Sequence, residues 1–256
     1  MNVEQYHIFK IAGQSYIYCV YYKQLYMLSQ QEFDQISVDP SLAHKYINAA
    51  KSSVDNTDSN EPIISNRKGL FLCVTSNCNA RCVYCFADHG SYGKDIKNMD
   101  LDTAKKAIDV FIDNLSDDAD AFINFFGGEP LLAFNTVKES YYYAISKPLK
   151  RNQKLSFRIV TNATLLTSEI IDFIAEHDIG IGISLDGGKY IQDLQRPLAN
   201  GKSSFDEAIK FMPDLLSKIP YANARGTYFT FDYPLVDIYP ELFDVGFKIV
   251  DVPPDL

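Results

Sequence analysis

Three of the five cysteines fall within eight residues, in the run Ser76-Asn77-Cys78-Asn79-Ala80-Arg81-Cys82-Val83-Tyr84-Cys85-Phe86. A tight loop with the spacing Cys78-x3-Cys82-x2-Cys85 can turn three thiolates toward one region of space. Three thiolates can hold three irons of a [4Fe–4S] cluster and leave the fourth open to a substrate or cofactor, which a cluster closed by four cysteines cannot do. The competing reading is zinc, whose structural sites take four closed ligands. The nearest spare ligand for that is His89, four residues beyond Cys85, which otherwise reads as a solvated loop residue. The remaining thiols, Cys19 and Cys73, lie outside the run, and Cys73 sits within an apolar stretch that reads as buried. An odd cysteine count argues against a disulfide framework in a reducing compartment.

A second constellation is Gly127-Gly128-Glu129-Pro130. Glycines let backbone approach a ligand closely, and a carboxylate such as Glu129 can accept hydrogen bonds from an ammonium group. Taken alone, the segment could equally be a turn that ends a strand.

Both constellations need elements to hold them. From residue 69 the pattern alternates between short apolar runs and amphipathic stretches. Strands are predicted over 70–76, 121–126, 155–161, 179–185, 226–231 and 247–252, and helices over 101–115, 135–147, 168–177, 204–217 and 238–245. The 204–217 helix opens on a Ser204-x-x-Glu207 capping box. Six strands alternating with five helices imply an α/β fold of parallel strands, either an open sheet or a partial (β/α)6 barrel. Active sites of such folds lie at the C-terminal strand ends. The cysteine run follows the first strand and the Gly-Gly-Glu-Pro segment the second, which is where that rule puts them. The acidic loop Asp117, Asp118 and Asp120 falls at the opposite end and reads as solvated surface.

Residues 1–50 read as a separate small β-rich and helical module. A Tyr-, Ile- and Val-rich hairpin over 6–28 turns at Gly13-Gln14, and a helix over 29–50 starts at a Ser29/Glu32 cap. Residues 51–68 are polar and aperiodic and read as a linker to the larger domain, 69–256.

The 256 residues carry a net charge of −9, which excludes a broad basic surface for nucleic acid. No apolar run approaches the ~18 residues of a membrane span. The N-terminus lacks the layout of a signal peptide, so a reducing cytoplasm is the expected compartment. There is no Walker A motif, and GIGISLDG lacks the glycine spacing of a dinucleotide fingerprint.

The cysteine triplet, with Tyr84 as the aromatic before its third cysteine, resembles the signature of radical S-adenosylmethionine (SAM) enzymes. Gly127-Gly128-Glu129-Pro130 resembles that family's second motif, in matching order and place. Thr161-Asn162-Ala163-Thr164-Leu165-Leu166 resembles a third segment, with Ala163 where glycine is commoner, and Ser184-Leu185-Asp186-Gly187 a fourth. The resemblance implies a [4Fe–4S] cluster on Cys78, Cys82 and Cys85. It implies SAM held by Tyr84, Gly127, Gly128, Glu129, Pro130, Asn162, Ser184, Asp186, Arg196 and Arg225, with Ser184 at the ribose and Arg196 facing the carboxylate. No catalytic residue is assigned beyond the cluster.

Within the family, the likeness is to SPASM-type maturases of ribosomally made peptides, of the kind that forms thioethers in Cys-rich precursors. Cys85-Phe86-Ala87, Phe125 to Leu131, Arg225-Gly226-Thr227-Tyr228 and Gly246-Phe247-Lys248 carry it. It implies reductive cleavage of SAM, hydrogen abstraction from a precursor peptide, and a reductant such as flavodoxin or ferredoxin. Residues 1–50 resemble the module of such enzymes that captures a leader peptide by strand addition. The sequence departs from these maturases after the sixth strand, where auxiliary-cluster cysteines are usual; here the last cysteine is Cys85 and the sequence closes on DVPPDL. One cluster at most is therefore expected, with the edge of strand six covered by a C-terminal partner or by self-association. The alternative reading is a catalytically incomplete relative that binds the peptide only.

Overall fold

The computed structural model describes residues 6–11, 13–20, 24–55, 67–229 and 233–254. The chain forms two compact units, Met1–Ile64 and Ser65–Leu256.

The first unit is a three-stranded antiparallel sheet followed by two helices. Strands β1 (Tyr6–Ile11), β2 (Gln14–Cys19) and β3 (Gln24–Leu28) lie in the order β1-β2-β3, so the expected hairpin gains a third strand. Helix α1 (Gln30–Val38) starts on the expected capping box, in which the Ser29 side chain accepts from the Glu32 backbone N–H and Glu32 reaches back to the Ser29 N–H. Pro40 cannot donate into a continuing helix, so the helical stretch breaks there into a 3-10 turn and resumes as α2 (His44–Asp55). Ile17, Leu28, Ile36 and Ala43 form a small core. The expected linker is shorter than residues 51–68: α2 takes its first five residues and a strand begins at Arg67, while 56–66 lie outside the described residues.

The second unit is a parallel six-stranded sheet in sequential order, the partial barrel of the expectation. Its strands are β4 (Arg67–Thr75), β5 (Asp120–Gly127), β6 (Lys154–Thr161), β7 (Gly180–Ile183), β8 (Asn223–Arg225) and β9 (Ile249–Asp251). The helices are α3 (Leu101–Asp113), α4 (Phe134–Ile145), α5 (Ser168–Glu176), α6 (Lys189–Gln195), α7 (Ser204–Ile209), α8 (Met212–Lys218) and α9 (Leu235–Asp244). Side chains alternate across each strand. Leu72, Val74, Ile123, Phe125, Ile159, Ile181 and Ile183 pack with Ile108, Val137 and Ile171 of the helices into one core. Each such burial stabilises by roughly 1.5–3 kcal/mol. Phe71, Phe122, Asn124, Phe126, Arg158 and Val160 take the alternate positions and line the concave face. Cys73 shares that alternation and is exposed rather than buried.

Three predicted elements move. The 204–217 helix is two helices, because Pro213 removes a backbone donor and clashes with the preceding turn; its cap is Ser203, not Ser204. Helix α6 occupies what reads as a loop in the sequence. The fifth strand ends at Arg225 instead of starting there, since the Thr227 N–H leaves the ladder for Asp186; residues 230–232 lie outside the described residues. Among the described residues no helix is long and apolar enough to cross a membrane.

Candidate functional site

The cysteine loop leaves β4 where the β4–β5 register shifts, between Cys73 and Thr75. The backbone of the second motif then locks onto it: the Gly128 N–H donates to the Thr75 carbonyl (2.9 Å) and the Glu129 N–H to the Asn77 carbonyl (2.8 Å). This contact requires glycine. A Cβ on Gly128 would lie 2.3 Å from the Asn77 oxygen and 3.0 Å from Cys78 Cβ, and Gly127 sits at φ +144 with the Thr75 oxygen 2.2 Å from a would-be Cβ.

The far side of the loop is held by the end of α6 and the segment after it. Arg81 N–H donates to Pro197 (2.7 Å), Val83 N–H to Gln195 (2.9 Å), and the Ala199 N–H to Asn79 (2.9 Å). Asn162 Nδ2 donates to Asn79 Oδ1 (2.8 Å), tying the loop to the end of β6.

Cys78, Cys82 and Cys85 line one cavity of about 450 Å³. Tyr84, Gly127, Gly128, Glu129, Asn162, Ser184, Arg196 and Arg225 line it too, so the fold gathers residues from five strand ends around the thiols. Pro130 and Asp186 do not line it. Pro130 opens a buried 3-10 turn behind Glu129. Asp186, fully buried, is a hub with four donors: Oδ1 takes Arg196 Nε and Thr227 N–H (both 2.9 Å), and Oδ2 takes the Tyr84 hydroxyl (2.5 Å) and Gln195 Nε2 (2.8 Å). These fill a carboxylate's acceptor sites, so Asp186 acts by positioning Tyr84 and Arg196. The Arg196 guanidinium also lies 5.2 Å from the Tyr84 ring centroid and 3.9 Å from Cys82 Sγ.

Glu129 is buried and accepts from Thr161 Oγ1 (2.7 Å), the Asn162 N–H (2.7 Å) and the Leu131 N–H (3.0 Å). One lone-pair position, on Oε2, is left for a ligand donor. Burial pushes its carboxyl up to about 7 against these donors. Burial also pushes Cys78 up to about 11 and raises Cys82, the latter partly countered by Arg196. Cys78 and Cys82 are therefore protonated near neutrality when free, and metal binding must release their protons. Burial keeps the Tyr84 phenol protonated, in keeping with its donation to Asp186. Burial works against the charge on Arg196, but Asp186 holds it protonated.

The donor set distinguishes the two metal readings. Among the described residues no three His, Cys, Asp or Glu side chains are grouped to hold a single ion. A lone zinc needs its ligands at ~2.0–2.3 Å from one point, whereas a [4Fe–4S] cluster takes each thiolate on a different iron. Three thiols spread around one cavity fit the cluster. His89 lines the cavity half-buried, not as a solvated loop residue; its backbone N–H donates to Cys85 Sγ (3.2 Å), and its buried Nδ1 has no partner among the described residues. Sequence reasoning also missed Asn124, hidden in the apolar run Phe122-Ile123-Asn124-Phe125-Phe126, although its alternate position on β5 marks it as lumen-facing.

Comparison with known proteins agrees with this geometry. Residues 72–231 match the radical SAM superfamily. The chain is 41% identical over 160 residues to an uncharacterized protein of Methanocaldococcus jannaschii, covering 62% of this chain and 52% of that one. It is 31% identical over 135 residues to a cysteine-type anaerobic sulfatase-maturating enzyme of Clostridium novyi, covering 52% of this chain and 36% of that one. The solved structure of native anSMEcpe with bound AdoMet and Kp18Cys peptide superposes with a TM-score of 0.63 at 20% identity, over 74% of this chain and 52% of that one. The chain thus spans about half or less of the length of these relatives.

Proposed function

The chain belongs to the radical SAM superfamily, whose members use a [4Fe–4S] cluster and SAM, and we propose that it is an enzyme that modifies a ribosomally made precursor peptide. The observation that carries this is the single cavity in which three cysteine thiols meet the Gly127-Gly128-Glu129 backbone. In this reading Cys78, Cys82 and Cys85 hold three irons. The free position on Glu129 accepts from the SAM ammonium, Arg196 faces its carboxylate, Ser184 meets the ribose, and Tyr84, Asn162 and Arg225 complete the pocket wall. When bound, the cluster and SAM supply one-electron cleavage of the sulfonium, giving methionine and a 5′-deoxyadenosyl radical that takes a hydrogen atom from a substrate carbon. The chain's own work is positional: Asp186 fixes Tyr84 and Arg196, and Thr161 and Asn162 fix Glu129.

The peptide as substrate is supported by the relatives, one a sulfatase-maturating enzyme and one solved with a peptide. The modification we assign is a thioether or another cross-link, on the resemblance of the segments around Cys85 and Arg225. Residues 1–50 are assigned to leader capture. Their β3 pairs with β2 alone among the described strands and shows Leu25 and Met27 at 55% and 66% exposure, a surface suited to strand addition. A flavodoxin or ferredoxin in the cytoplasm supplies the electron. The test is anaerobic reconstitution with iron and sulfide, then addition of SAM and a reductant. Formation of 5′-deoxyadenosine and methionine supports the reading; their absence at full cluster loading refutes it.

A further inference from the structure

We propose that the lumen of the partial barrel, beside the cofactor cavity, is a substrate subsite that takes an acidic residue of a peptide, read by Asn124 and Arg158. This rests on the peptide-modifying reading above and narrows its substrate class.

A second cavity of about 520 Å³ opens on the concave face of the sheet. It shares Phe71, Asn124, Val160 and Arg225 with the cofactor cavity, so the two are continuous along the lumen. One register row crosses its floor: Phe71 pairs with Asn124, Asn124 with Arg158, and Arg158 with Gly180. The glycines at 180 and 182 leave room above β7, where an added Cβ would already touch Arg158 Cγ at 3.5 Å or Arg225 Cδ at 3.6 Å.

Asn124 is the informative residue. It is 5% exposed, lines both cavities, and makes no side-chain hydrogen bond among the described residues. Its amide is not sealed in the core, since the buried unpartnered side-chain atoms among the described residues are His89 Nδ1 and Ser140 Oγ, so it opens into the cavity where a ligand can meet it. Its donor and acceptor stand side by side, which matches the N–H and C=O edge of a peptide group. Arg158 lies beside it with its guanidinium 5.2 Å from the Phe122 ring centroid and without an acidic partner among the described residues. Arg225, by contrast, is already paired with Asp251 at 3.5 Å. An unneutralised guanidinium in the lumen of a chain of net charge −9 selects a carboxylate. Phe71, 59% exposed, meets Phe122 and Phe126 edge-on at 5.9 and 6.4 Å and offers the apolar wall for the rest of the segment.

The probes are N-acetyl-glycyl-glutamyl-glycinamide and its glutaminyl counterpart, titrated against the full chain and followed by calorimetry. The glutamyl peptide is expected to bind saturably and at least about tenfold more tightly than the glutaminyl one. Arg158→Gln should abolish that difference. Asn124→Leu should weaken both peptides by about tenfold, since it removes the donor and acceptor that meet the peptide group. Equal affinity for the two peptides, no saturable binding, or unchanged affinity in the variants overturns the proposal. If Asn124→Leu fails to fold, Arg158→Gln, an exposed position, decides alone. Iron content after reconstitution separates the two claims: full cluster loading without peptide binding overturns this subsite only, whereas failure to take up iron overturns the cofactor reading.

Discussion

The Tyr84 hydroxyl donates a 2.5 Å hydrogen bond to Oδ2 of Asp186, joining the cysteine loop to a carboxylate 102 residues away. Asp186 is fully buried, and Arg196, its ion-pair partner at 2.9 Å, stands against Tyr84 and Cys82. The loop that carries the thiols is thereby braced by a polar network. Such networks stabilise only while every member is satisfied.

Removing the hub should therefore be costly. Asp186→Ala strands a buried guanidinium and three further donors, and is expected to destabilise by about 3–5 kcal/mol. Tyr84→Phe, which removes one donor, should cost roughly 1–2 kcal/mol. Denaturant unfolding of the apoprotein measures both; equal costs for the two variants would show that Asp186 is not the hub.

Gly128→Ala tests the contact between the two motifs. Its Cβ would displace Asn77 and Cys78, so iron loading after reconstitution should fall several-fold. Gly180→Ala, whose Cβ meets nothing closer than 3.5 Å, should load normally. Normal loading of Gly128→Ala would mean that the loop yields freely.

Glu129 predicts a pH dependence in the apoprotein. Its carboxyl is raised to about 7 by burial, above the ordinary 4.5, so the folded state holds this proton more tightly than the unfolded state. The associated stability is fully present below the unfolded value and is lost as pH rises through about 7, in total on the order of 3 kcal/mol. Glu129→Gln should lack that slope. Parallel stability curves for the two proteins between pH 4.5 and 7.5 would contradict the assignment.

The first unit gives a separate prediction. Deleting residues 1–55 should weaken binding of a precursor peptide by about tenfold or more while leaving peptide-independent SAM cleavage intact. Met27→Glu, on the exposed edge of β3, should reproduce the binding loss in the full chain. Unchanged peptide affinity in both would assign leader recognition elsewhere.

What the sequence made legible was order. Cys78, Cys82 and Cys85 follow β4 and Gly127 to Pro130 end or follow β5, because parallel α/β units put such loops at strand C-termini. What it concealed depends on partners distant in sequence. The 226–231 run looks like a strand, yet the Thr227 N–H is captured by Asp186, and the sheet takes Asn223–Arg225 instead. Asp186 looks like a cavity ligand beside Ser184, but its carboxylate turns inward to four donors. Asn124 is invisible in a run of apolar neighbours until alternation assigns it to the lumen. Ala163 stands where the family resemblance leads one to expect glycine, and its φ of +62 gives a physical reason for that expectation: the turn after β6 is left-handed there.

The central claim is that Cys78, Cys82 and Cys85 jointly hold one [4Fe–4S] cluster. The most direct measurement is iron and sulfide content per chain after anaerobic reconstitution of the unsubstituted protein and of single cysteine variants. The account predicts about four irons in the unsubstituted protein, in Cys19→Ala and in Cys73→Ala, and loss of the cluster in Cys78→Ala, Cys82→Ala and Cys85→Ala. Stoichiometric zinc without iron uptake, or a full complement of iron in Cys82→Ala, would contradict it.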